Sequence, residues 1–200
     1  MDQVEMIASA CARIDPLYGD YVRLAALTGL RAGELTALQP QDVDLAAQTL
    51  RVQRAHSRGK IGDPKSKEPR TVPVVAPAAR ILGKLTASRR PTEFLFSRPG
   101  GRLHHSNFRT AVGWTQLVTD AGFPGLRFHD LRGVAISTWI QAGIDLATVR
   151  SVAGHSDLRM TDRYSHLTPG HLSSARSQIE SYLGVVPDDQ RLGGGEGSNT

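Results

Sequence analysis

The stretch TGLRAGEL, residues 28–35, marks a boundary between two helices. Apolar residues recur at helical spacing over 17–27, and the glycine that follows them, Gly29, is the residue type that most readily ends a helix in a left-handed conformation. We expect a new helix to begin directly after this break and to run through Leu38. Arg31 would then lie just inside a helix, beside a sharp turn of the backbone.

The segments around this break predict a chain that is mainly α-helical with a small antiparallel β-sheet, an α+β fold class. Short β-prone pieces around a turn in residues 42–54 indicate a hairpin, and RTVPVV (70–75) supplies a third strand. The intervening GKIGDPKSKEP (59–69) is predicted as a loop that projects from the sheet. Further helices are predicted at Val4–Ile14, Pro77–Ala87, Ser106–Ala121, His129–Gln141, Asp145–Ala153, Asp157–His166 and Pro169–Leu183.

Composition limits the class of protein. The 200 residues are 40% hydrophobic and 22% charged, as in a globular protein that folds in water. The single cysteine, Cys11, excludes a disulfide framework and a cysteine-based zinc site. No apolar run approaches the roughly 20 residues of a membrane span, and the N-terminus does not resemble a secretory signal. We therefore expect a cytoplasmic protein with one domain over 1–184 and a glycine-rich, disordered tail over 185–200.

Positive charge is concentrated in one part of the sequence. The net charge is +5, and residues 51–70 alone contain seven basic residues against two acidic ones. Such a basic strip is the electrostatic footprint of a surface that binds polyanions. A solvated hairpin would have the same composition, so charge alone leaves both interpretations open.

Four short boxes follow one another along the chain: TGLRAGEL (28–35), DPKSKEPRTVPV (63–74), HDLR (129–132) and GHSDLRMTDRYSHL (154–167). Each alone is unremarkable, because arginines on helices are mostly solvated and histidines are mostly surface or core residues. In this order and with these gaps, they resemble the active-site series of the tyrosine recombinases, or phage-type integrases. The resemblance covers residues 2–183 and implies the catalytic-domain fold of that family.

The resemblance implies that Tyr164 attacks a DNA phosphodiester and forms a 3′-phosphotyrosyl bond, which strand exchange later reverses. A tyrosine has a pKa of about 10, so its phenol is protonated at neutral pH and needs assistance. Arg31 and Arg132 would stabilise the transition state, because a guanidinium fork matches the non-bridging phosphate oxygens. The covalent bond conserves the phosphodiester's energy, so we expect no ATP, no cofactor and no metal, and the sequence lacks an HExxH motif.

Proton transfer is assigned to further residues by the same resemblance. Lys65 matches the family's β-hairpin lysine, which would protonate the departing deoxyribose 5′ oxygen, and Lys60 and Lys67 are close enough in sequence to be alternatives. His129 would assist proton transfer near the tyrosine. His155 would donate a hydrogen bond to the phosphate.

Supporting positions and departures from the family pattern complete this interpretation. Glu34, three residues after Arg31, is expected to support that arginine rather than to take part in the chemistry. Many members have a histidine where this chain has Gly133, and commonly a leucine where it has Ala153. Neither position supplies a charge to the reaction, so we expect both to alter packing only.

Double-stranded DNA is the expected partner. The resemblance implies four protomers on two paired DNA sites, and we expect the isolated domain to be a monomer. Full-length relatives carry a DNA-clamping domain ahead of the catalytic one, whereas here the catalytic pattern begins almost at Met1. We therefore expect this chain to be the catalytic part of a longer integrase, encoded by a bacterium or a phage and associated with DNA.

Two other functions fit parts of the sequence. A type IB topoisomerase-like relaxase uses similar residues, and relaxation of plasmid DNA without a specific site would favour it. A non-enzymatic DNA binder is the other, because residues 145–167 can be interpreted as a helix-turn-helix. That binder would retain specific duplex binding when Tyr164 and Arg132 are both replaced.

Overall fold

The computed structural model of the chain describes residues 1–57, 59–64, 68–99 and 101–154. These ranges are mainly helical with small antiparallel sheets, as predicted. Their helices are α1 (Asp2–Ile14), α2 (Pro16–Thr28), α3 (Ala32–Leu35), α4 (Ala76–Thr86), α5 (His105–Ala111), α6 (Trp114–Asp120), α7 (Asp130–Gln141) and α8 (Leu146–Ala153). Their strands are β1 (Val43–Asp44), β2 (Thr49–Val52), β3 (Ala55–Ser57), β4 (Lys60–Gly62), β5 (Arg70–Pro73), β6 (Ser97–Arg98) and β7 (Gly101–Arg102).

The first two helices pack against each other, and Arg23 on α2 donates a hydrogen bond to Glu5 on α1. Helix α2 begins where Asp15 accepts a hydrogen bond from the Leu17 backbone amide at 2.7 Å, which is the usual role of an N-cap carboxylate. It ends at Gly29, whose φ of 63° confirms the predicted break. A Cβ atom on that glycine would lie 2.9 Å from Trp139 Cη2, so the break also lets α7 approach closely.

The prediction that the third helix extends through Leu38 is wrong. Helix α3 contains only four residues, Ala32–Leu35. The carbonyl of Leu38 instead accepts a hydrogen bond from the Leu95 amide at 2.8 Å, and Pro40 then begins a 3₁₀ turn. A proline disfavours the helical conformation in the residue before it, and Gln39 is accordingly extended.

The predicted hairpin and its third strand are confirmed as an antiparallel sheet with strand order β1-β2-β5. The prediction of a plain loop over 59–69 is wrong in part, because β4 pairs with β3 in a second hairpin. Gly59 has a φ of 82° and provides the tight turn between these two strands. The small β6–β7 hairpin was not predicted.

The prediction of one helix over Ser106–Ala121 is also wrong. The segment forms two helices, α5 and α6, on either side of Gly113, whose φ of 58° is left-handed. The first residue of α6, Trp114, is buried, and its indole nitrogen donates to the Leu126 carbonyl at 2.8 Å. The break therefore turns α6 so that this indole enters the core.

An aromatic cluster forms the centre of the core and connects the elements that carry the predicted site. Tyr21 stacks on Phe128 with ring centroids 4.7 Å apart and meets Phe108 edge to face at 5.0 Å. The Tyr21 hydroxyl donates to Ala32 O at 3.2 Å, and it lies 3.2 Å from His105 Nδ1. Because Phe128 precedes His129 in sequence and Ala32 follows Arg31, this cluster fixes the backbone beside both residues.

Three predicted segments lie outside the described residues: the helices at Asp157–His166 and Pro169–Leu183, and the tail over 185–200. Across the described ranges, none of the helices has both the length and the apolar character needed to cross a membrane.

Replacing the fully buried Phe108 tests the importance of the aromatic cluster. We expect Phe108→Ala to lower the free energy of unfolding by about 3–5 kcal/mol, because it leaves a cavity in a packed core. Urea denaturation followed by circular dichroism measures the change. Met6→Ala is the control, since Met6 is 55% exposed, and its effect should stay within about 0.5 kcal/mol. Equal effects of the two variants would contradict this description of the core.

Candidate active site

Three arginine side chains converge on the C-terminal end of α8. They donate hydrogen bonds to three successive backbone carbonyls: Arg70 Nε to Val152 O (2.8 Å), Arg132 Nη2 to Ala153 O (2.6 Å) and Arg31 Nη2 to Gly154 O (3.0 Å). The last carbonyls of a helix lack partners within the helix and carry its partial negative charge. The guanidinium groups therefore satisfy these carbonyls, and residues distant in sequence are gathered at one place.

The predicted residue Arg132 is buried at the centre of this arrangement. It lies in the first turn of α7, and its Nη1 atom donates to Gly29 O at 2.7 Å. Its fork thus joins the helix break after α2 to the end of α8. A buried charge must be hydrogen-bonded to be tolerated, so these carbonyls hold the guanidinium in one orientation.

Glu34 is the buried carboxylate that binds two of the three arginines. Its oxygens accept from Arg31 Nη1 at 3.0 Å and from Arg70 Nη1 and Nη2 at 3.0 and 2.7 Å. It also accepts from the Arg31 backbone amide at 2.9 Å. Burial raises the pKa of Glu34, but the hydrogen bonds and charges of Arg70 and Arg31 outweigh burial and leave it below its ordinary value. Glu34 is therefore ionised, and it contacts Arg31 as its spacing predicted.

His129 immediately precedes α7 and is exposed. It lies three residues before Arg132, as the HDLR box predicted. Partial desolvation lowers the pKa of His129, and the positive charges of Arg132 and Arg31 lower it further against the opposing effect of Asp130. The imidazole is consequently neutral at pH 7 and able to accept a proton. Arg31, Arg132 and His129 are thus brought into one electrostatic environment.

The other predicted site residues are not all described. Lys65, Lys67, His155 and Tyr164 lie outside the described residues. Lys60, the remaining lysine candidate, is exposed on β4. No role of these residues in the site is therefore observed, and their assignments stay predictions.

The β3–β4 hairpin, which leads toward the lysine-rich segment, is docked onto α3. A Cβ atom on Gly33 would lie 2.3 Å from the carbonyl oxygen of His56, so only a glycine permits this approach. On the other side, Arg102 Nη2 donates to Gly59 O at 3.2 Å and lies 2.9 Å from His56 Nε2. The hairpin is therefore fixed next to the helix that begins after Arg31.

Sequence reasoning missed the role of Arg70, which it counted among the basic residues over 51–70 and quoted in the box over 63–74 without assigning it a function. The alternation of the strand contains a signal for it. Val72 is fully buried and Val74 is buried, while Thr71 and Pro73 are exposed. Successive side chains of a strand point to opposite faces, so Arg70 shares the inward face with the two valines.

The arrangement suits an anion better than a metal ion. In the ranges that the structure describes, no group of three or more His, Cys, Asp or Glu side chains could hold a metal. Guanidinium groups instead offer paired N–H donors that match the oxygens of a phosphate. In charge and donor type, this region is therefore suited to binding a phosphoryl group.

The ion pairs of Glu34 predict a pH-dependent stability. The pKa of Glu34 is lowered in the folded protein. At a pH above the ordinary pKa of a glutamate, the ionised carboxylate therefore stabilises the folded state. This stabilisation is lost as the pH falls through the lowered pKa of the folded protein. Glu34→Gln should reduce the free energy of unfolding by about 3 kcal/mol at pH 7. The difference from wild type should shrink below about pH 4, which urea denaturation over a pH series measures.

Glu93→Gln provides the control for this measurement. Glu93 also pairs with an arginine, Arg90, but on the exposed surface, where solvent screens the pair. This variant should unfold like wild type across the same pH series. A difference between wild type and Glu34→Gln that persisted unchanged into acid would contradict the proposed ionisation of Glu34.

Comparison with known proteins identifies, over most of the chain, the same family that the four sequence boxes resemble. The profile of the phage integrase family matches residues 1–171. The integrase of Salmonella phage P22 is 27% identical over 187 residues, covering 89% of this chain and 46% of that protein. The tyrosine recombinase XerC of Mycobacterium sp. (strain KMS) is 33% identical over 165 residues, covering 78% of this chain and 51% of that protein. The chain spans about half the length of these curated relatives.

Solved structures share the fold. The catalytic domain of bacteriophage HP1 integrase superposes with a TM-score of 0.64 at 22% identity, covering 94% of this chain and 96% of that one. The Tn1549 transposon integrase in complex with transposon right end DNA has a TM-score of 0.65 at 20% identity, covering 90% and 63%. The resemblance in the four sequence boxes is confirmed by the profile match, and the chain belongs to the phage integrase family.

Proposed function

We propose that this chain performs the DNA strand cleavage and rejoining of site-specific recombination. The observation that carries the proposal is the convergence of Arg31 and Arg132 on adjacent carbonyls at the end of α8. Two guanidinium groups held this close can bind one phosphate, which is what attack on a phosphodiester requires. The names of the relatives, an integrase and a tyrosine recombinase, support the same function.

In the proposed reaction, the phenolic oxygen of Tyr164 attacks the phosphorus of one DNA strand. A bond forms between that oxygen and the phosphorus, and the bond to the deoxyribose 5′ oxygen breaks. The neutral His129 accepts the phenolic proton, Lys65 supplies a proton to the departing oxygen, and His155 donates a hydrogen bond to the phosphate. The reverse attack by a 5′ hydroxyl from the partner strand reseals the DNA, so bond energy is conserved throughout.

The described geometry leaves Arg31 able to take part. Its side chain is 19% exposed, and its contacts within the described ranges use one N–H from each of two terminal nitrogens. An arginine side chain has five N–H donors. The remaining N–H donors of Arg31 are therefore available to a phosphate while Glu34 and the α8 carbonyl bind the other two.

DNA is the proposed partner, and four protomers on two paired sites are the proposed assembly. A structural relative, the Tn1549 transposon integrase, was solved in complex with transposon right end DNA, which supports DNA binding by this fold. The relatives named integrase and recombinase favour recombination over the topoisomerase-like alternative. The helix-turn-helix alternative gives no reason for three arginines to bind the end of α8.

Covalent trapping tests the proposal. The protein expressed from its complete gene is incubated with nicked suicide duplexes that are tiled across the DNA flanking that gene. We expect wild type to form a covalent protein–DNA adduct on at least one duplex, because the nicked fragment diffuses away and prevents resealing. Tyr164→Phe, which lacks the nucleophilic oxygen, should form none on the same duplex, as judged by denaturing gel electrophoresis. Absence of a wild-type adduct on every duplex would refute the proposal.

The two arginines should contribute to the rate more than to binding. On the duplex that traps wild type, Arg31→Ala and Arg132→Ala should each slow adduct formation by about 100-fold or more, which corresponds to about 3 kcal/mol of transition-state stabilisation. The measurement is single-turnover cleavage at saturating DNA, accompanied by a thermal melt to verify folding. Cleavage at the wild-type rate by either folded variant would remove that arginine from the mechanism.

A further inference from the structure

We propose that Arg70 is a positioning residue of the cleavage site, which holds Arg31 and the turn at Gly154 in register through Glu34 and the end of α8. The inference rests on the proposed function, because DNA cleavage is the reaction for which these groups must be aligned. Arg70 lies in β5, within the box over 63–74, but that box suggested only a lysine for the site, and the contacts of Arg70 are seen in the structure.

The contacts of Arg70 connect three elements that are far apart in sequence. Its terminal nitrogens donate to both oxygens of Glu34 on α3, and its Nε atom donates to Val152 O at the end of α8. All three of its side-chain nitrogens therefore donate to protein oxygens. A planar guanidinium can make these bonds simultaneously in fixed directions, whereas a lysine ammonium has no fork that spans both partners.

Arg70 also contacts the turn that ends α8. A Cβ atom on Gly154 would lie 3.0 Å from both Cδ and Nε of Arg70 and 3.1 Å from its Cζ. The guanidinium thus packs directly on the glycine backbone, which has a φ of 68° and whose amide bonds to Arg150 O at 2.9 Å. The backbone of Gly154 is consequently held by a contact with Arg70. The next residue in sequence is His155, the predicted phosphate ligand.

The charge pattern explains why Arg70 should act through other groups rather than bind DNA. Its side chain is only 8% exposed, compared with 19% for Arg31. Glu34 receives two hydrogen bonds from the Arg70 fork and one from the Arg31 side chain. Without Arg70, the buried carboxylate would be left to Arg31 alone and would draw that guanidinium away from a phosphate. Arg70 therefore compensates part of the negative charge of Glu34, so that Arg31 can bind both Glu34 and a phosphate.

Single-turnover cleavage separates this role from substrate binding. Arg70→Met keeps the length of the side chain without its charge, and Arg70→Lys keeps the charge without the fork. On the duplex that traps wild type, we expect Arg70→Met to slow cleavage by about 10- to 100-fold at saturating DNA, because small displacements of catalytic groups have effects of this size. DNA affinity should change by less than about threefold, since a buried side chain adds little to phosphate contacts. Arg70→Lys should recover only part of the rate.

A control removes another two-oxygen arginine–glutamate pair, which is more exposed than that of Arg70 and Glu34. Arg23 binds both oxygens of Glu5 and joins α1 to α2, away from α8. Arg23→Met should therefore cleave at the wild-type rate. If Arg70→Met and Arg70→Lys, both folded by thermal melt, also cleave at the wild-type rate, the inference is overturned. A loss of DNA affinity equal to the loss of rate would likewise overturn it, because Arg70 would then be a DNA contact.

Hydrogen exchange of the DNA-free protein tests the positioning without a substrate. In Arg70→Lys we expect the Gly154 amide to exchange at least about tenfold faster than in wild type, because the end of α8 loses a partner, while amides of α1 are unchanged. Arg23→Met should leave the Gly154 amide unchanged. If wild type never forms a DNA adduct, the proposed function fails, and this measurement still judges the geometry. Unaltered exchange at Gly154 would refute the positioning by Arg70.

Discussion

A carboxylate buried between two guanidinium groups organises the site of this protein. Glu34 has no exposed side-chain surface, and leaving such a charge without partners inside a protein would cost several kcal/mol. Arg31 and Arg70 compensate that charge, and both then reach the end of α8. The arrangement joins α3, β5 and α8 because hydrogen bonds between them satisfy polar groups of each. Ion pairs and hydrogen bonds therefore define this corner of the fold together with apolar packing.

Much of the helical framework could be predicted from local signals. The break at Gly29 follows from a glycine after an amphipathic segment, and the start of α8 follows from Asp145, whose side chain accepts from the Thr148 amide. The box HDLR places His129 and Arg132 one turn apart on any helix. Such features depend on residues within a few positions of one another, so the sequence contains the information needed to predict them.

The remaining features depend on partners that are distant in sequence. Arg70 looks like any other basic residue over 51–70 until Glu34 and the α8 carbonyls are placed beside it. Gly113 sits in an apparently continuous helical pattern, and the burial of Trp114 is what favours a break there. The docking of the β3–β4 hairpin depends on the missing Cβ of Gly33, which no local pattern reveals. Tertiary contacts decide each of these cases.

The long sequence separations within the arginine cluster have a consequence for protein synthesis. The bond from Arg31 to Gly154 spans 123 positions, and that from Arg132 to Gly29 spans 103. A nascent chain that has left the ribosome only as far as α7 lacks Ala153 O, which binds Arg132, and Gly154 O, which binds Arg31. Contacts with such separations are completed late in folding. A translation product interrupted before α8 therefore contains these arginines without the carbonyls that gather them, and the proposed cleavage site can assemble only after α8 has been made.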